Sequence, residues 1–144
     1  TPQIMTKEQI LAQCNKRCPG TLMETLSIEY TDVDLTAKTL TGRMPVSPKV
    51  HQPDGVLHGG AMVALAESIG SAAVHIFLDT QNAVVRGVEI SANHVKSMRE
   101  GYVYAVAQLV HSGRTMQLWK IDLTDESRAL ISSCKLTTLS LPKR

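Results

Sequence analysis

Glu67 is the single carboxylate in the run His58–Leu78, whose other residues are small or apolar nearly throughout. Taking a carboxylate out of water is costly unless it is partnered. A Glu in such a setting therefore points to a functional carboxylate. The plainer alternative is a long side chain that lies along the surface and keeps its head in water. Ser71 stands one turn further on, at i+4, and can face the same site. Within the run lie further polar groups, His58 and Ser68 among them.

These residues need an element to hold them. The Ala and Leu content and the absence of Pro favour helix. The turn signal Gln52-Pro53-Asp54-Gly55 comes just before. The expected helix starts near Gly59 or Gly60 and ends before Asp79 and Thr80. Ala61, Leu65, Ile69, Ala72 and Ile76 lie on one side; Val63, Glu67, Ser71 and Val74 lie on the other. A helix apolar all round is a buried helix, so burial is expected on both sides. The length would also suit a membrane span. His58, Glu67, Ser68, Ser71 and His75 argue against that, and no membrane partner is expected.

Around this helix the chain reads as follows. Thr6 caps a short helix within an N-terminal helical segment, residues 1–20, that ends at Pro19-Gly20. Leu22, Glu24, Leu26, Ile28 and Tyr30 alternate along Thr21–Thr31, which predicts a half-buried strand. A second strand with a short turn is expected in Asp32–Arg43, and Pro45, Pro48 and Pro53 mark a loop. Further strands are expected over Ala83–Val95, Gly101–His111, Thr115–Thr124 and Ala129–Leu141, in near-hairpin order. Val103, Ala105, Ala107 and Leu109 share a face, as do Trp119, Ile121 and Leu123; Leu130, Cys134 and Leu136 align. The class is α+β, one antiparallel sheet of about six strands with the helices on one face. The 144 residues suit a single domain, 1–144.

Composition narrows the function. A net charge of +2 is too small to suggest nucleic acid. The aromatics are Phe77, Trp119, Tyr30, Tyr102 and Tyr104, too few for base-stacking surfaces. Cys14 and Cys18 have no second pair to complete a zinc site. His75 and His111 have no partner at ligand spacing, and no metal is expected. Free thiols fit a reducing compartment, so the expected location is cytoplasmic.

Three stretches carry a family resemblance. Gln52-Pro53 with Gly55-Val56-Leu57-His58-Gly59-Gly60 and Leu65-Ala66-Glu67-Ser68-Ile69-Gly70-Ser71 is the first. Val88-Glu89-Ile90-Ser91-Ala92-Asn93-His94-Val95-Lys96 and Ser133-Cys134-Lys135-Leu136-Thr137-Thr138 follow in order. Together they resemble the hotdog-fold acyl-CoA thioesterases. The branch most similar hydrolyses aromatic acyl-CoAs such as 1,4-dihydroxy-2-naphthoyl-CoA and hydroxybenzoyl-CoA, with the phenylacetate-degradation thioesterases beside it. The resemblance implies a hotdog fold, with the sheet wrapped around the helix. It also implies a homodimer through sheet edges, often a dimer of dimers. No cofactor is expected, because coenzyme A is part of the substrate. Asp54 stands where this branch more often has an apolar or aromatic residue, so the expected acyl group is aromatic or medium-sized.

A thioester carbonyl needs an activated nucleophile and a place for its oxyanion. Helix N-termini carry unpaired N–H groups and a positive dipole end. Gly59 and Gly60 sit there without side chains, so a substrate can approach the backbone. The resemblance implies that the Gly59 N–H polarises the carbonyl. It implies that Gln52 aligns substrate or water and that His58 bonds the carbonyl or its surroundings. It matches Glu67 to the catalytic carboxylate, either nucleophile or general base. Ser71 matches a hydroxyl that helps to place water. Substrate-binding candidates are Gly60, Ser68, His94, Lys96, Ser97 and Arg99; His94 would touch the pantetheine or acyl side, and Lys96, Ser97 and Arg99 would meet CoA phosphates. Glu67 and His58 are nine residues apart, about 13 Å along a helix. The resemblance resolves this by pairing the loop of one subunit with the helix of another. Two other classes stay open: a hydratase or dehydratase on acyl thioesters, with His51 as partner of Glu67, and a non-catalytic acyl-CoA-binding module.

Overall fold

The computed structural model describes residues 4–144, so the first three residues of the expected N-terminal helical segment lie outside it. Helix α1 (Lys7–Lys16) starts where Thr6 predicts. Thr6 Oγ1 accepts from the Gln9 N–H at 3.2 Å, and the Thr6 N–H donates to Gln9 Oε1 at 2.8 Å. Two orphan donors are thus satisfied reciprocally. Asn15 then ties α1 to the sheet, donating to the Tyr30 carbonyl and accepting from the Tyr30 N–H.

The strand expected over Thr21–Thr31 is the first correction. Its first half is a short helix, α2 (Leu22–Thr25), because Thr21 Oγ1 accepts from the Met23 N–H and acts as an N-cap. Ser27 then adopts a φ of 56°, which breaks any extended run. Strand β1 covers Glu29–Asp34 and β2 covers Thr39–Pro45. The other strands are β3 (Ala83–His94), β4 (Tyr102–Ser112), β5 (Met116–Thr124) and β6 (Leu130–Pro142), close to their expected bounds.

The six strands form one antiparallel sheet in the order β1-β2-β4-β5-β6-β3. Near-hairpin order therefore holds for β4, β5 and β6 but not for β3, which pairs with β6 at the sheet edge. The connection 95–101 carries the chain away from β3. The Val95 N–H bonds the Ile131 carbonyl, the Met98 carbonyl accepts from Leu57, and the Gly101 carbonyl accepts from Val46. These bonds lead the chain across to β4, beside β2. Trp119, Ile121 and Leu123 share the buried face of β5 as expected. Leu130 does not join Cys134 and Leu136: a bulge at the start of β6 leaves it 41% exposed.

Helix α3 (Gly59–Phe77) packs across β2 to β6. Its length and apolar composition would pass for a membrane span, yet Met62, Leu65, Ala66, Ile69, Gly70, Ala73 and Val74 are buried in the core of this chain. Two glycines let it lie close. A Cβ on Gly70 would stand 2.6 Å from Leu136 Cδ2. A Cβ on Gly42 of β2 would overlap Ile69. Burial all round, however, is not what the single chain has. Val63, Ala64, Glu67, Ser68, Ser71 and Ala72 are half-buried, and His75 is exposed. One sheet covers only one side of a helix with about 3.6 residues per turn. Glu67 thus keeps partial access to solvent.

Candidate active site

The N-terminus of α3 is built by two histidines, each seated against a glycine. His58 is the N-cap, and its Nδ1 accepts from the Gly60 N–H at 2.8 Å. A Cβ on Gly60 would stand 3.0 Å from that nitrogen and displace the ring. Gly60 thus has its amide committed, and His58 spends one ring nitrogen on its own helix. His94 reaches the same place from the end of β3. Its Nε2 lies 3.1 Å from where a Cβ on Gly59 would stand, and its Nδ1 pairs with Ser132 Oγ at 2.8 Å. A methyl there would press on the ring and require it to shift by a few tenths of an ångström. Among the described residues the Gly59 N–H has no acceptor. An unpaired donor at the positive end of a 19-residue helix suits a developing negative charge.

Gln52 sits in the loop just before this helix, and the loop is tightly braced. The Gln52 N–H bonds the Val56 carbonyl at 2.8 Å, and the Gly55 N–H bonds the Gln52 carbonyl at 2.9 Å. Gly55 has a φ of 84°, which its lack of a side chain permits. The Leu57 N–H bonds the Met98 carbonyl, and His51 Nε2 lies 2.8 Å from the Arg99 carbonyl. His51 is therefore occupied in bracing the loop, so nothing favours it as the acid-base partner that the dehydratase alternative requires. The half-buried Gln52 side chain makes no hydrogen bond among the described residues.

Of the phosphate candidates, Arg99 and Ser97 lie on the connection beside this loop; the Arg99 guanidinium stands 3.5 Å from the Gly55 carbonyl. Lys96 is turned instead to Asp125, at 3.4 Å. The Asp125 carboxyl is pulled down to about 2, chiefly by the Ser127 hydroxyl and then by the Ala129 N–H, with Lys96 adding to both. Ser68 donates its hydroxyl proton to the Ala64 carbonyl at 2.6 Å and so keeps only acceptor capacity. Ser71 has no partner among the described residues.

Glu67 lies apart from the Gly59 group. Its carboxylate is directed at β3, with Oε2 2.6 Å from where a Cβ on Gly87 would stand. Gly59 and Glu67 are eight residues apart on one straight helix, about 12 Å along the axis. The candidate residues thus fall into two groups in one chain: His58, Gly59 and His94 at the head of α3, with the Gln52 loop preceding them, and Glu67 with Ser71 further along the helix. Among the described residues strand β3 pairs on one side only, with β6, and no strand lies on its other edge. Val88 and Val95 beside that edge are 52% and 59% exposed.

Two contributors escape reading along the chain. Gly87 carried a signal, since an isolated Gly within a strand marks a bulge or a close approach; the pairing of β3 with β6 does shift between Gly87 and Glu89. Ser132, which orients His94, carried none, being one small polar residue in a strand.

Comparison with known proteins places these features in context. A model of the thioesterase superfamily matches residues 54–132. The chain is 41% identical over 138 residues to 1,4-dihydroxy-2-naphthoyl-CoA hydrolase of Escherichia coli K12, spanning 96% of this chain and 99% of that one. It is 41% identical over 135 residues to the proofreading thioesterase EntH of Cronobacter turicensis, spanning 94% of this chain and 96% of that one. Its fold matches the crystal structure of a glutamine-to-alanine mutant thioesterase from Pseudomonas aeruginosa with a TM-score of 0.87 and 38% identity, over 92% of this chain and 94% of that one.

Proposed function

Because the chain belongs to the thioesterase superfamily and is a hotdog-fold thioester hydrolase, we propose that it cleaves acyl-CoA thioesters with Glu67 as the catalytic carboxylate and the Gly59 N–H as oxyanion donor. The observation that carries this reading is the uncommitted Gly59 N–H at the head of the helix that also bears the half-exposed Glu67. The thioester oxygen would sit at the Gly59 N–H, with His94 alongside. Glu67 would then either add to the carbonyl carbon or take a proton from the water that adds. In both routes the C–S bond breaks, the CoA thiolate gains a proton, and the acyl group leaves as a carboxylic acid. In the first route a mixed anhydride on Glu67 forms and water opens it. Gln52 and Ser71 would orient water, and Ser97 and Arg99 would meet CoA phosphates. The name of the Escherichia coli relative supports an aromatic acyl group, and a medium-sized one is the other acyl group we propose.

The 12 Å between Gly59 and Glu67 supports a site shared between two copies, with Gln52, His58 and Gly59 from one and Glu67 from the other. The free edge of β3 supports a homodimer joined there, and pairs of dimers would follow on the same scheme.

The test is thiol release from aromatic and aliphatic acyl-CoAs by wild type and Glu67→Ala. Turnover that collapses in the variant is expected. Full turnover in Glu67→Ala would end the role given to that carboxylate, and CoA binding without turnover in wild type would favour a binding module. Mixing Gln52→Ala with Glu67→Ala subunits should restore part of the activity; verified mixed dimers that stay inactive would overturn the shared site.

A further inference from the structure

A cavity of about 750 Å³ lies between α1 and the side of α3 that the sheet leaves uncovered. We propose that it receives the distal end of the acyl group, and that Arg17 selects a tail ending in a carboxylate. The assignment rests on the acyl-CoA reading above and adds to it the wall that reads the far end of the substrate.

Position comes first. Ser71 lines the cavity and is four residues from Glu67, about 6 Å along the helix. An acyl group whose carbonyl lies at Glu67 is within about one helical turn of this space. The volume is of the size that encloses small molecules, about 300–1,000 Å³. The α1 wall is held in place independently of any ligand, by the two Asn15–Tyr30 hydrogen bonds and by the Lys7–Asp32 ion pair.

Chemistry comes second. The body of the cavity is apolar, with Ile10, Tyr30 and Ile76 among its walls. The charged side chain in its lining is Arg17, and no Asp or Glu lines it. Among the described residues the Arg17 guanidinium makes no hydrogen bond and no ion pair; the backbone N–H of Arg17 closes α1 on the Cys14 carbonyl. The other titratable groups facing it are neutral near pH 7. Burial raises the Tyr30 phenol and the Cys14 and Cys18 thiols, and burial with Arg17 lowers His75. A permanently charged guanidinium at the rim of an apolar space without a counter-charge suits a carboxylate, which it can grip through two parallel N–H···O bonds.

The test needs binding alone, not hydrolysis. Cys14 lines the cavity and serves as reporter. Tryptic cleavage after Lys16 and Arg17 separates it from Cys18. Iodoacetamide alkylation of Cys14 is followed by peptide mass spectrometry at mildly alkaline pH. It is run with ketone analogues of two acyl-CoAs, a methylene replacing the thioester sulfur: an alkanoyl chain and its ω-carboxy counterpart of equal length. Calorimetry establishes saturation. Both analogues are expected to protect Cys14, with the ω-carboxy analogue binding about tenfold tighter in wild type, and Arg17→Gln is expected to erase that difference. The Arg17 side chain is exposed and unbonded, and the backbone bond that closes α1 is kept in the variant, so the fold is retained. Saturation without protection of Cys14 would place the tail elsewhere and overturn the proposal. Equal affinity for the two analogues in wild type, or a preference that survives in Arg17→Gln, would overturn the role of Arg17. Failure of both analogues to bind would instead count against the acyl-CoA reading itself.

Discussion

The carboxylate of Glu67 rests in the space left by the missing side chain of Gly87: a Cβ at residue 87 would stand 2.6 Å from Glu67 Oε2. Gly87 has no left-handed φ that would call for glycine. The next nearest atom beyond Glu67 would be Leu136 Cδ1, at 3.7 Å. The glycine therefore makes room for the carboxylate rather than for a turn. The β3 bulge at Val88 falls at the same point. Bulges commonly re-aim groups beside active sites.

Gly87→Ala should therefore displace the carboxylate while the fold survives, since only the end of one flexible side chain must move. A misplacement of this size costs about 10²-fold in kcat, with KM and the melting temperature unchanged. Glu67→Asp, which withdraws the carboxylate, should lose less in the Gly87→Ala background than alone. A Gly87→Ala enzyme with wild-type kcat would separate the glycine from catalysis.

His58→Ala removes the acceptor for the Gly60 N–H and should destabilise the protein by about 1 kcal/mol, the usual worth of an N-cap. His58→Asn should retain most of that stability. Urea unfolding reads both, as a lower midpoint at unchanged slope. If His58→Ala unfolds like wild type, the cap bond contributes nothing.

The turn at Asp125 should be acid-sensitive in a defined window. Its carboxyl is held down at about 2 in the folded chain, against about 3.9 when unfolded. A folded-state value below the unfolded one means that the unfolded chain binds more protons there. The stabilisation is complete above about pH 3.9 and fades as the pH falls toward about 2. Amide-exchange protection at Ser127 and Ala129, taken relative to the unfolded-chain rate at each pH, should fall in that window, and Asp125→Asn should show the lower protection already at neutral pH.

Gly70→Ala should destabilise despite the better helix propensity of Ala. The new methyl would stand 2.6 Å from Leu136 Cδ2 and 2.8 Å from Ile121 Cδ1. Overpacking of this kind costs about 1–3 kcal/mol, against about 1 kcal/mol gained in propensity. Thermal unfolding should show a lower midpoint, partly restored by Leu136→Val. A Gly70→Ala protein that melts higher than wild type would mean that Leu136 and Ile121 give way freely.

The sequence by itself determined most of the elements and the family to which the chain belongs. The period of the apolar residues and the turn signals located α3 and β3 to β6 to within a residue or two, because those elements agree with their own local preferences. The residue types at 59, 67 and 71, and the family resemblance at 52 and 58, named the candidates for the chemistry. Local pattern failed at Thr21–Leu26, where alternation suits a capped helical turn as well as a strand. Only the tertiary structure decided what depends on contacts distant along the chain. It set β3 beside β6 rather than β4, seated His94 against Gly59 through Ser132, and laid Glu67 over Gly87. It also left one side of α3 open, which periodicity cannot foresee: a helix reports how apolar its faces are, not how many neighbours one copy of the chain supplies to cover them.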